Sequence, residues 1–326
     1  MARAHPLSRG FPILPADRLF VVVSRLTALL VLLVVLSLLS DHFLTWNNLI
    51  NVFRQAALTF LMAAGLTLVV LTGGIDLSVG AVLGLSACLG ASLISEGHVV
   101  SGIAAALAAG LACGLVNGSL VAYVRVPAFI ATYGMLWIAH GLGYVFMQGE
   151  VFYGFPEAFR FIGAGFVGAI PAPIIVMLLV LLALHFMLHH TRQGRAIYAI
   201  GGNRTAARLS GMPVQPRLVA TYGVSGLLAA FAGLVVIART NAADAGTGEE
   251  LLLPTIAAVC LGGTSLLGGV GGVAGTAAGA VILALIINGM NLLSVNTFWQ
   301  AFVTGAIIIV SVLADQLVGG RIGRSN

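Results

Sequence analysis

Long apolar runs alternate with short polar interruptions along most of this chain. A helix needs about 20 apolar residues to cross a bilayer. On that ruler ten spans are predicted, near 19–39, 55–72, 77–95, 99–122, 127–147, 171–189, 218–238, 252–267, 271–290 and 297–315. From Leu251 to Ala314 there is no charged residue, so the last cuts rest on Gly268-Gly269 and on Asn288 to Asn296 as breaks. The first run follows a relatively polar, Pro-containing stretch, Met1 to Arg18, and leads into Ser40-Asp41-His42 without a small-residue cleavage pattern. That predicts an uncleaved first helix. The expected fold is an all-α polytopic membrane protein with about ten transmembrane helices, some broken at glycines, and both termini cytoplasmic. It divides into a tail at 1–18, a transmembrane domain at 19–317 and a tail at 318–326.

Composition supports this class. Of 326 residues 60% are hydrophobic and 8% charged, against about 25% charged in a soluble domain. The 42 glycines suit close helix packing in lipid. Arginine placement sets the orientation. Ten spans put Arg3, Arg9, Arg18, Arg25, Arg125, Arg192, Arg195, Arg204, Arg208, Arg217, Arg321 and Arg324 on the cytoplasmic side. Arg54, Arg160 and Arg239 fall outside, and twelve against three fits the positive-inside rule. The net charge of +5 therefore reads as membrane topology, not nucleic-acid binding.

No lysine is present, so the chain cannot contain the Gly-Lys-Ser/Thr of a P-loop. If ATP drives this protein, a partner binds the ATP and its Mg, and this chain needs no cofactor. Cys88, Cys113 and Cys260 sit in apolar stretches without CxxC spacing and read as small buried hydrophobes.

Four constellations could carry function. Thr72-Gly73-Gly74-Ile75-Asp76-Leu77-Ser78-Val79-Gly80 splits one apolar run, and Asp76 is the only acid between Asp41 and Glu96. Asp76 either caps or braces the following helix, or serves gating or solute contact at membrane depth. Leu261-Gly262-Gly263-Thr264 with Gly268-Gly269 echoes this break in the second half. Paired Gly-rich breaks point to a transport pathway, as against plain small-residue packing. Gly223-Val224-Ser225-Gly226 fits an intramembrane serine protease motif, but no histidine follows residue 190 to serve it, so no catalytic site is expected. The fourth is the polar, basic stretch Thr191 to Arg217. Within it Asn203 can N-cap a short helix from Arg204, which Gly211 and Pro213 end. So short a helix needs a partner surface. Two further loops, Gln148 to Pro171 with its aromatics and Arg239 to Glu250, are expected outside, where each could meet an extracytoplasmic partner.

At these residues the chain resembles the permease subunit of bacterial ABC importers for monosaccharides. The matches are Leu71 to Gly80, Gly114 to Gly118 with Val126 to Thr132, Gly201 to Gly211 and Ile256 to Ser265. The resemblance implies an inner-membrane permease with a second permease subunit, as homodimer or heterodimer, two ATP-binding subunits and a periplasmic sugar-binding protein. It also implies a coupling helix docked on the ATPase, which maps onto Gly202, Asn203, Arg204, Ala206, Ala207, Ser210 and Gly211; Ala207→Glu is expected to uncouple the ATPase without disturbing the fold. Gly73, Gly74, Asp76, Ser78, Asn117, Thr264, Ser265, Asn288 and Asn291 are the candidate gating or pathway residues. The chain departs from the family at Tyr133, commonly an apolar position, at His140, commonly arginine, and at Leu253-Pro254-Thr255. The competing class is an ion-coupled transporter or channel. It would need several intramembrane carboxylates, of which only Asp76 is found. A related importer of another small polar solute, such as a furanosyl signal molecule, is the alternative within the family.

Overall fold

The most buried helix, α2 (Trp46–Leu71), is enclosed at every residue from Ala56 to Leu71. Those residues are apolar all round the helix, which suits the centre of a bundle and no surface. Around it lie α3 (Val79–Ser95), α4 (Val99–Ser119, prolonged by a π turn to Val124), α5 (Ala128–Met147), α7 (Ala172–His190), α10 (Val214–Thr240) and α12 (Val273–Leu292). The computed structural model describes Thr27 and residues 30–324, with side chains up to residue 313. Among the described residues six helices are long and apolar enough to cross a membrane: α2, α4 with its π turn, α5, α7, α10 and α12. The expected tail 1–18 and the first part of the expected span 19–39 lie outside the described residues. The described remainder of that span, α1 (Leu30–Leu39), places Leu36 against Phe43, Val52 and Ala284. The last helix, α13 (Thr297–Arg324), includes residues 318–324 of the expected tail.

The tightest helix pair is α4 with α10. Gly110, Gly114 and Gly118 form one stripe at four-residue spacing. A Cβ at Gly110 would strike the Gly226 carbonyl, and one at Gly114 the Tyr222 carbonyl. Backbone lies on backbone, the approach that small residues permit in lipid. Gly226 of the protease-like motif is thus a packing residue.

Two expectations change in the second half. The predicted span 252–267 is helical only over α11 (Leu252–Leu261), about 15 Å long and too short to cross. The predicted outer loop Arg239 to Glu250 supplies what is missing. After α10 the residues Ala242–Ala243 (β4) pair antiparallel with Phe152–Tyr153 (β1). The chain then descends along α3. The Cys88 thiol reaches the Asp244 carbonyl at 3.3 Å, a Cβ on Gly84 would strike the Thr247 carbonyl, and one on Gly80 would lie 3.0 Å from the Gly248 carbonyl. Gly84 is eleven residues, about 16 Å, below the Ser95 end of α3. This segment is therefore discontinuous, turns and a short 3-10 helix (Glu249–Leu251) followed by a half-length helix. The physical cause is local. Asp244, Gly246 and Gly248 make turns through Gly246 N–H to Asp244 Oδ1 and Thr247 N–H to the Asp244 carbonyl. Irregular backbone at that depth is tolerated because α3 covers it.

The other loop, Gln148 to Pro171, folds into β1, a short helix α6 (Glu157–Ala164) and a hairpin of β2 (Phe166–Val167) with β3 (Ile170–Pro171). Its aromatics divide. Phe155 and Phe159 are buried against Leu234 and Ile237 of α10, while Tyr153, Phe161 and Phe166 are exposed.

Candidate functional site

Helix α2 ends where Gly73 takes a left-handed φ of 76°. Five residues without regular structure then lead to Val79, so α3 starts two residues later than the sequence predicts. Asp76 sits in this gap, 1% exposed. Its Oδ1 accepts the Ser78 backbone N–H at 3.0 Å and the Ser78 hydroxyl at 2.6 Å; Oδ2 accepts the Ser225 hydroxyl at 3.0 Å. Asn117 of α4 donates to Ser78 Oγ at 2.9 Å. The hydroxyls of Thr132 and Tyr222 both point at the Ile75 carbonyl, at 3.3 and 3.5 Å. One carboxylate thus draws α3, α4 and α10 together, and the adjoining carbonyl adds α5. Ser225 lies eleven residues, about 16 Å, from the start of α10, so this knot is at membrane depth and not at an interface. The expected alternatives of cap and brace resolve into a brace: Asp76 holds the residue before α3 and reaches across to α10. The serine of the protease-like motif is a donor in that brace.

The two Gly-rich breaks meet. The Gly269 N–H donates to the Leu71 carbonyl at 2.9 Å. A Cβ on Gly268 would come 2.7 Å from the Gly73 nitrogen and 3.2 Å from the Gly201 Cα. A Cβ on Gly201 would fall on the Leu71 carbonyl and 2.5 Å from the Gly269 nitrogen. Three glycine pairs that are far apart in sequence, 73–74, 201–202 and 268–269, converge in one backbone joint. Thr264, buried, shapes the second break by accepting the Gly272 N–H on its hydroxyl at 3.3 Å. The Ser265 N–H closes the same loop on the Val270 carbonyl.

The third member of the joint belongs to the basic stretch Thr191 to Arg217. That stretch holds two helices where the sequence predicts one. In α8 (Arg192–Gly202) the Thr191 hydroxyl accepts the Gly194 N–H as an N-cap. Its apolar side packs Ile197 against Leu71 and Leu188. Tyr198 donates to the Gly271 carbonyl at 2.9 Å; burial raises its phenol above the ordinary value, which keeps it a donor. The predicted helix follows as α9 (Arg204–Leu209), with Asn203 Oδ1 accepting the Ala206 N–H at 2.9 Å and Gly211 leaving it at φ 80°. Gly202, Asn203, Arg204, Ala206, Ser210 and Gly211 are all exposed. Ala207 is not: it is buried with Ile200, Val214 and Leu218. Ala207→Glu would therefore unseat α9 and is no clean probe of a docking surface. The apolar residue that α9 presents outward is Leu209, 84% exposed. Between α9 and the first break lies a cavity of about 440 Å³ lined by Arg125, Arg204, Arg208, Gly73, Gly74 and Tyr222.

The remaining candidates lie elsewhere. Asn288 and Asn48 exchange amide hydrogen bonds of 2.8 and 3.0 Å between α12 and α2. Asn291 accepts from Gln300 at 2.6 Å, which ties α12 to α13. Neither reaches the Asp76 knot. Sequence reasoning missed a further cluster. On α5, His140 Nε2 lies 2.7 Å from Glu249 Oε1, and the Tyr144 hydroxyl donates to the same oxygen at 3.1 Å. Glu249 thus becomes a second carboxylate held against a membrane helix, with its side chain 44% exposed. The available signal was the four-residue spacing of His140 and Tyr144, which places both on one helix face.

A family model described as "Branched-chain amino acid transport system / permease component" matches residues 48–312. The chain belongs to this permease family. A ribose import permease protein of Escherichia coli K12 is 47% identical over 298 residues, which covers 89% of this permease and 92% of the relative. A ribose import permease protein of Bacillus subtilis is 43% identical, covering 88% and 90%. The D-allose transport system permease protein of Escherichia coli is 38% identical, covering 86% and 87%. No solved structure matches the chain. The permease is a multi-pass membrane protein, and its family is a transport component rather than an enzyme family.

Proposed function

We propose that this permease is the transmembrane subunit of an ATP-binding-cassette importer that moves a monosaccharide by alternating access. Relatives named for ribose and for allose support the sugar class. The observation that carries the mechanism is the joint of Gly201 with Leu71 and Gly269. It fastens the basic loop to both helix breaks, so a displacement of α8–α9 moves α2 and the 262–272 loop together. In this reading α9 docks on an ATPase subunit that binds ATP and Mg, a periplasmic binding protein delivers the sugar, and a second permease subunit completes the path. The chain itself supplies no catalytic residue and no cofactor. The membrane is the bacterial inner membrane, with both termini and the basic loop cytoplasmic. The expected ten crossings include the discontinuous one through Asp244–Leu261.

Two measurements test this. In vesicles, uptake should require internal ATP together with the binding protein. Transport driven by an ion gradient alone would overturn the importer reading in favour of coupling through Asp76 or Glu249. In the assembled complex, Leu209→Glu should weaken ATPase binding by about tenfold or more, since a central apolar contact is worth about 2 kcal/mol. Unchanged co-purification of the ATPase would remove α9 as the docking helix.

A further inference from the structure

Helix α5 carries an unbroken aromatic ladder along one face. Phe129 stacks on Tyr133 with centroids 5.8 Å apart, Tyr133 meets Trp137 edge-on at 6.3 Å, Trp137 stacks on His140 at 6.1 Å, and His140 on Tyr144 at 4.9 Å. Phe129, Tyr133, Trp137 and Tyr144 are 46–60% exposed. From Phe129 to Tyr144 the ladder climbs fifteen residues, about 22 Å, most of a hydrocarbon core about 30 Å thick. At its upper end it meets Glu249, whose side chain is 44% exposed while held by His140 and Tyr144. His140 is seven residues, about 10 Å, below the Met147 end of α5.

A lipid-facing stripe does not fit these facts. A carboxylate nearly half open at that depth would face hydrocarbon, and ionisable side chains within a membrane face protein or water-filled cavities. This face of α5 therefore borders a water-filled space or another protein surface rather than lipid.

We propose that the α5 ladder is the surface along which the sugar passes, with Tyr133 and Trp137 as stacking platforms and Glu249, gripped by His140 and Tyr144, as the hydroxyl acceptor at the upper mouth. A monosaccharide presents C–H groups on its faces and hydroxyls on its rim. Flat rings cover the faces without demanding a particular hydroxyl pattern, and successive similar platforms bind weakly enough to release. This rests on the importer reading and adds to it the route and the residues.

The test uses the complete complex of permease, ATPase and binding protein in proteoliposomes, with labelled D-ribose and D-allose as probes. Tyr133→Ala with Trp137→Ala should lower uptake by about tenfold or more, the equivalent of one or two lost stacking contacts. Assembly and binding-protein-stimulated ATP hydrolysis should persist. Tyr133→Phe with Trp137→Phe, which keeps the ring faces, should transport near the unsubstituted rate. Wild-type uptake by the alanine pair would overturn the proposal. So would loss of assembly in the alanine pair alone, which would make this face a subunit contact, or an equal loss of uptake in both pairs. If the unsubstituted complex moves neither sugar despite ATP and binding protein, the sugar reading itself fails, and the proposal falls with it.

Discussion

Gly201→Val is expected to reduce uptake by about a hundredfold or more while the ATPase still binds and hydrolyses ATP. Any Cβ at Gly201 overlaps the Leu71 carbonyl and sits 2.5 Å from the Gly269 nitrogen. Neither neighbour is a flexible side chain. Both are backbone atoms, and they hydrogen-bond to each other at 2.9 Å. The end of α8 must therefore back away from both helix breaks. Overpacking of this kind costs about 1–3 kcal/mol for added methyl groups, and more where backbone must shift. The exposed surface of α9, including Leu209, is not touched by the change, so docking should survive. The expected signature is ATP hydrolysis without transport. Gly305→Ala in α13 is the control, because a Cβ there meets nothing within 4 Å. Coupled uptake by Gly201→Val at the unsubstituted rate would show that the joint transmits nothing.

The second large effect is on stability. Asp76→Ala should prevent accumulation of folded permease or lower its thermal unfolding midpoint sharply in detergent. The substitution strands the Ser78 N–H, the Ser78 hydroxyl and the Ser225 hydroxyl, all buried. Each unsatisfied buried donor costs about 1–3 kcal/mol, and the sum is a large share of a typical stability of about 5–15 kcal/mol. Asp76→Asn keeps Oδ1 as acceptor for Ser78 and can offer its amide to Ser225 Oγ, so it should fold. An alanine variant as stable as the unsubstituted chain would remove the bracing role. A folded asparagine variant that fails only in transport would show that the negative charge itself serves the transport cycle.

Much of this was legible along the chain because a membrane imposes a simple rule. A helix must be long and apolar to span, so α2, α4, α5, α7, α10 and α12 stand out by composition alone. The short helix α9 was legible through its cap, since the Asn203 side chain satisfies the backbone locally and needs no distant partner. The discontinuous crossing was not. Leu252 to Leu267 is as apolar as a full span, and only the fold shows that α11 stops at Leu261, where Gly262 lies on the Thr276 backbone, and that residues 244–248 run along α3. Helix α8 was also hidden, because its polar sequence covers an apolar side that has meaning only against Leu71 and Leu188.

The sequence by itself determined that this is a multi-pass membrane protein, that it breaks at Gly73-Gly74 and Gly268-Gly269, and that it holds no Gly-Lys-Ser/Thr P-loop. These follow from local chemistry: span length, backbone freedom at glycine and the absence of lysine. Only the tertiary structure decided that the two breaks and Gly201 touch, that Asp76 braces α10, and that Glu249 meets His140 on α5. Each of those depends on contacts between residues from 67 to 198 positions apart in the chain. No local preference encodes such contacts, and only packing of the whole bundle selects them.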